Sequence, residues 1–243
     1  MGEAFVWGIV AGSSLVIGGV IARRFSISQR LLGLIMAFGA GVLISAVAYE
    51  LVEEAFVTSA GDGGIALGLL AGSATFFAGE VMIDRLRARR SRGSNDTQTS
   101  GAGGALTLGI ILDGIPESLV LGLTVLEHGT VSAAFLVAVF IANIPEAIGA
   151  TTAFVQAGRN MTRIIRFWIL VAIGFGVTSL LGYVVLDTAS PRTVAIVLAF
   201  AGGAVLTMLA NTMMPEALHH GGKLAGFVTT LGFALAFAIS AIQ

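Results

Sequence analysis

The chain alternates long apolar stretches with short polar ones. Residues 4–22, 31–54, 63–84, 104–126, 131–157, 164–187, 192–216 and 222–242 form eight predominantly apolar segments. About 20 such residues are needed for one helical crossing of the hydrocarbon, and the strict alternation of a barrel strand is absent. The pattern predicts an all-α membrane protein: eight transmembrane helices in a single domain. The polar punctuation sets a direction. Arg23, Arg24 and Arg30 fall between the first two segments, Arg85, Arg87, Arg89, Arg90 and Arg92 between the third and fourth, and Arg159, Arg163 and Arg166 between the fifth and sixth. With Lys223 between the last two, twelve of the thirteen basic residues lie in odd-numbered connections, and Arg192 alone lies in an even one. By the positive-inside rule those connections are cytoplasmic, so both termini are expected to be extracytoplasmic.

Composition agrees with this pattern. Of 243 residues 56% are hydrophobic and 11% charged, against roughly 25% charged in soluble domains. Thirty-three glycines suit helices that approach closely in lipid. A net charge of −1 gives no electrostatic footprint for nucleic acid. With no cysteine, disulfides and thiolate metal sites are excluded, and a metal would be held by oxygen or histidine nitrogen. The first apolar run has Glu3 before it and Arg23 and Arg24 after it, the reverse of a secretory signal, so it is expected to be a retained span. Residues 91–104, SRGSNDTQTSGAGG, have the composition of a flexible cytoplasmic linker.

The chemistry sits where the apolar pattern is interrupted. Three of the four prolines precede a glutamate: DGIPES over 113–118, ANIPEA over 142–147, and MPEA over 214–217. Asp113, Glu117 and Glu146 fall near the middle of their segments, where an acidic side chain costs about 2.5–3.5 kcal/mol on insertion scales. Asp113 and Glu117 are four apart and share a helix face. Pro116 cannot donate to the Leu112 carbonyl, nor Pro145 to that of Ile141, so each proline leaves a backbone oxygen free near a carboxylate. Such irregularity at membrane depth is tolerated where it is buried in protein or lines a cavity. Carboxylates and freed carbonyls together make a polar cation site, with Asn143 as an auxiliary ligand; the bland alternative is a packing kink with protonated acids.

These residues resemble the ZIP (Zrt/Irt-like) family of divalent metal transporters over essentially the whole chain. That family has eight spans, outward termini, a variable linker after the third span, a His-Asn-x-Pro-Glu-Gly pattern in span four and a related one in span five. Glu117 and Glu146 match its metal-binding glutamates. Asp113 stands at the span-four histidine position, Ala142 at a span-five ligand and Gly114 at an asparagine, which implies one cation per protomer rather than two. Span six has Thr178 and Ser179 where the family often has an acid. Span seven keeps Pro215 and Glu216, with Asn211 and Thr212 at the usual His and Glu positions, and span two has Glu50 and Glu54 at a His and a Glu position.

The resemblance implies an importer of zinc, or of cadmium, iron or manganese, in the cell (plasma or inner) membrane. It also implies a homodimer and an elevator-like motion of spans one, four, five and six against the others. The metal is cargo, no cofactor is expected, and the chain is not expected to be an enzyme. Glu50, Glu53 and Glu54 share an outer helix face and either collect cations at an entrance or form an ordinary solvated helix end. Asn211, Glu216, His219 and His220 are candidates for an exit path. Glu80 and Asp84, beside Arg85, are expected to anchor to the basic linker rather than line a path. Two other classes stay open: a metal sensor or relic that does not transport, and a proton-coupled carrier of another solute, since buried carboxylates also relay protons.

Overall fold

A computed structural model describes residues 1–59, 63–92 and 98–241. Every regular element among them is helical: α1 (Gly2–Arg24), α2 (Gln29–Ala46), a π-helical segment Val47–Glu53, α3 (Glu54–Thr58), α4 (Gly64–Arg92), α5 (Gln98–His128), α6 (Ala133–Gln156), α7 (Met161–Leu186), α8 (Pro191–Met208), a second π-helical segment Leu209–Met213, α9 (Met214–Gly221) and α10 (Leu224–Ser240). Seven continuous helical stretches are long and apolar enough to cross a membrane. Two of these, Gln29–Thr58 and Pro191–Gly221, run through the π-helical segments. The eighth, α10, is apolar but only 17 residues long. This is the architecture of a multi-pass integral membrane protein.

Residues 91–104 were expected to be a linker. α4 runs to Arg92 and α5 begins at Gln98, so the helices cover both ends of that segment and residues 93–97 lie outside the described ones. α4 thus continues past its apolar span, and α5 begins before its own.

The bundle is built small side in. Ala4, Ala11, Ala40, Ala138, Ala195 and Ala199 are fully buried, while Leu70, Leu170, Val185 and Phe227 are more than 60% exposed. Lipid is as apolar as leucine, so large side chains gain little by turning inward, whereas small ones let dispersion forces act between close backbones.

Those close approaches divide the helices into two groups. α1 packs on α7 and α6, and α5 on α7. A Cβ on Gly12 would come within 2.6 Å of the Ala172 Cα, and one on Gly18 within 2.6 Å of the Ile144 carbonyl oxygen. α2 packs on α10 and α9, and α4 on α8. There the Phe200 backbone fills the space beside Gly72, and the Phe38 backbone that beside Gly232. Contacts between the groups, chiefly α2 with α6 and α4 and α8 with α5, are sparser. One of them is Gly79 against the Leu112 side chain, at 3.0 Å from a built Cβ. The glycines of GIVAGSSLVIGG thus fasten α1 within its own group, and the seam between groups is lined mainly by side chains.

At one end of the bundle Glu50, in the first π-helical segment, crosses this seam. Its carboxylate accepts 2.6 Å hydrogen bonds from Ser132 Oγ, at the amino end of α6, and from Ser240 Oγ, at the end of α10. Ser132 also caps α6 by accepting from the Phe135 amide. Filling a backbone contact should cost more than filling open space. Gly72→Leu is expected to destabilise the bundle by about 1–3 kcal/mol or more, while Gly226→Leu, where nothing lies within 4 Å of the built Cβ, should be nearly neutral. Thermal unfolding in detergent reads the difference, and equal losses would contradict the packing described.

Candidate functional site

Pro116 and Pro145 both lie inside helices, in α5 and α6. Beside Pro145 a cavity of about 420 Å³ lies between α2, α4, α5, α6 and the α8–α9 span. Its acidic lining comes from Glu80, Asp84, Asp113, Glu146 and Glu216, with Asn211 and Thr212 beside them. All these residues lie in the halves of their helices nearer the Arg-bearing odd-numbered connections. On the other side Leu121, Leu123, Phe135 and Val139 are fully buried in the core. The cavity wall therefore lies in the half of the bundle nearer the basic connections, and buried hydrocarbon side chains fill the opposite half.

Two predicted ligands are buried beyond the cavity wall rather than on it. Glu117 is one turn beyond Asp113 along α5, and Asn143 one turn beyond Glu146 along α6; each is 1% exposed. Glu117 Oε1, Glu146 Oε1 and Asn143 Nδ2 are buried without a hydrogen-bond partner among the described residues. Asp113, Glu146, Glu80 and Glu216 line the same cavity, and Glu117 is buried one turn beyond Asp113. Repulsion between like charges strengthens as the surroundings become less polar, so this cluster favours whatever brings positive charge to it. No three His, Asp or Glu side chains among the described residues are drawn together tightly enough to hold a metal as they stand. The acids surround a space rather than closing into a shell.

Gly114, Ala142 and Ser179 have packing roles. The Phe175 ring occupies the space a side chain on Gly114 would need. Ala142 is fully buried, and its Cα lies 3.0 Å from a Cβ built on Gly39 of α2. Ser179 Oγ donates 2.7 Å to the Ala4 carbonyl, so it ties α7 to α1 instead of facing the acids.

Glu80 was expected to serve the linker and instead serves the cavity. It accepts from Asn211 Nδ2 at 2.6 Å and from Thr212 Oγ1 at 3.4 Å. Asn211 and Thr212 lie in the second π-helical segment, and Pro215 follows at the start of α9. Proline cannot donate to the Asn211 carbonyl, and such π-bulges re-aim side chains within a helix. The signal available in the sequence was the pair Glu80 and Asp84, four apart on one face in the same half of the membrane as the prolines.

The remaining candidates divide. Asn211 and Glu216 line the cavity. His219 and His220 do not: their rings meet edge to face at 4.8 Å in α9, and neither is part of the cavity wall. At the other end Glu53 is exposed, Glu54 accepts 3.3 Å from Thr58 Oγ1, and Glu50 is occupied by its two serines. Glu50, Glu53 and Glu54 thus differ in their surroundings at this end of the bundle.

The bond to Asn211 supplies a test of the wall. Glu80→Ala should destabilise the protein by about 1 kcal/mol, the net value of one such hydrogen bond. Glu80→Gln keeps an acceptor oxygen and should recover most of the loss in the same unfolding measurement. Equal losses would show that charge, not the hydrogen bond, holds the wall.

Comparison with models of known protein families, and with curated proteins, found no match to this chain.

Proposed function

We propose that the protein carries divalent transition-metal ions across a membrane, as the resemblance of its Pro-Glu segments to the ZIP family implies. One observation carries the reading: an acid-lined cavity adjoins buried carboxylates, and Glu117 Oε1 and Glu146 Oε1 have no hydrogen-bond partner among the described residues. A buried unpaired acid is costly, and a cation that binds between several of them offsets that cost. Zinc is the leading cargo. The oxygen donors of Asp113, Glu117, Glu146 and Asn143 also suit manganese, iron or cadmium.

In this reading the basic face is cytoplasmic by the positive-inside rule, the cavity is open inward, and Asp113 and Glu146 pass the ion along a wall formed by Glu80, Asn211 and Glu216. Alternating access is a displacement of α1, α5, α6 and α7 against α2, α4, α8–α9 and α10. Three features support it: the backbone contacts within each group, the sparser seam between them, and the Glu50 bridge across that seam at the closed end. Location in a cell membrane and assembly as a homodimer belong to the same proposal and rest on the resemblance alone.

Uptake of zinc, cadmium and manganese into vesicles containing the purified protein tests the reading. Transport is expected to fall by at least about tenfold in Glu117→Ala and in Glu146→Ala, because even residues that only support metal ligands are worth 10–100-fold. Transport unchanged by both substitutions would reject the site. Proton flux without metal flux would assign the carboxylates to a relay for another solute. Asp113→His should shift preference toward zinc, since imidazole is the softer donor; an unaltered metal ranking would contradict the hardness argument.

A further inference from the structure

A second pair of concavities lies away from the acids, on the lipid-facing side of α5, α6 and α7. The larger, about 350 Å³, is an apolar groove between α5 and α7 walled by Ile111, Ile115, Phe167, Leu170, Val171 and Gly174. Ile115 is 46% and Leu170 67% exposed, so the groove is open to the bilayer. The smaller, about 190 Å³, lies between the end of α6 and the start of α7 and is lined by Arg159, Arg163 and Phe167, with Phe154 and Ile164. Phe167 belongs to both walls, so the two join end to end.

Their order along the membrane normal is that of a phospholipid. Arg163, Phe167, Val171, Gly174 and Thr178 follow one another at intervals of three or four residues, down one face of α7. From Phe167 to Thr178 is eleven residues, about 16 Å at 1.5 Å per residue, which matches the roughly 15 Å of hydrocarbon in one leaflet. Arg163 lies one turn beyond, at the depth of the headgroups. Among the described residues neither Arg159 nor Arg163 has a carboxylate partner; Arg159 instead lies 4.7 Å over the Phe154 ring. The ring leaves most of the guanidinium donors free, and a guanidinium matches a phosphate with two parallel hydrogen bonds. An apolar trough that ends in two unneutralised arginines at the interface complements an anionic headgroup carrying an acyl chain.

We propose that this tract is a specific site for an anionic glycerophospholipid, with its phosphate between Arg159 and Arg163 and one acyl chain along the α5–α7 groove. All of the lining belongs to a single helix group, so a bound lipid adds no bridge across the seam. The site is independent of what the acidic cavity carries.

Two tryptophans are present, Trp7 and Trp168, and the Trp168 ring lies beside that of Phe167, 5.1 Å between ring centroids and tilted by 51°. In Trp7→Phe protein, fluorescence from Trp168 alone should be quenched more by chain-brominated phosphatidylglycerol than by the matching phosphatidylcholine. The relative affinity is expected to favour the anionic lipid by about fivefold for each arginine engaged. Arg159→Gln combined with Arg163→Gln should bring the two lipids to parity. Gly174→Leu, where nothing lies within 4 Å of the built Cβ, should fill the groove and weaken anionic quenching with both arginines retained. Parity in the parent protein, which requires neither site substitution, would overturn the proposal. So would a preference that survives loss of both arginines, or quenching undiminished by Gly174→Leu. Relief of quenching by soluble glycerol phosphate or inorganic phosphate would show a site for free anions instead.

Discussion

Carboxylates inside a membrane protein repel one another in a medium that screens them poorly, and the structure is arranged around that constraint. Asp113, Glu117, Glu146, Glu80 and Glu216 come from four different spans, yet four of them line one cavity and Glu117 is buried one turn beyond Asp113. Among the described residues the deepest oxygens, Glu117 Oε1 and Glu146 Oε1, have no hydrogen-bond partner. A bundle concerned only with stability would replace Glu117 and Asn143 with leucine. Keeping them leaves a region whose energy falls when positive charge arrives, and the proposed transport reading uses that property.

The second constraint is the absence of a hydrophobic force between helices in lipid. Close backbone contact at Gly12, Gly18, Gly72 and Gly232 replaces it, and it acts only where small residues meet. Contacts of this kind dominate inside the two helix groups, and larger side chains dominate between them. The same glycine content therefore gives two firmly packed bodies and a seam that is held differently. Glu50, with its serine partners from α6 and α10, adds a polar fastening at the end of the seam opposite the cavity mouth. The exposed face of α5 and α7 is shaped by the same economy: Gly174 and the outward turn of Leu170 leave a furrow that lipid can fill.

π-helical segments occur near matching places in the spans that contain Glu50 and Asn211. In the second, the extra residue and the following proline turn Asn211 and Thr212 onto Glu80. In the first, Glu50 turns toward neighbouring helix ends. Helix geometry is thus bent at two points to aim polar side chains, and one bend shapes the cavity wall while the other fastens the bundle.

Apolar run length and the positions of Arg and Lys determined the helical membrane architecture and the expected direction of insertion. Both depend on local properties: a helix in hydrocarbon must satisfy its own backbone, and a charge near a span end acts over a short distance. The Pro-Glu pairs likewise marked Asp113, Glu117, Asn143 and Glu146 within single segments, because an acid at mid-span is anomalous on its own. Tertiary structure decided which acids share a space. Glu80 joined the cavity through Asn211 and Thr212, Glu50 bonds two serines far away in sequence, and His219 and His220 lie outside the cavity wall. Those outcomes depend on how π-helical bends and glycine contacts rotate whole helices against one another, a relation between distant segments that no local pattern encodes.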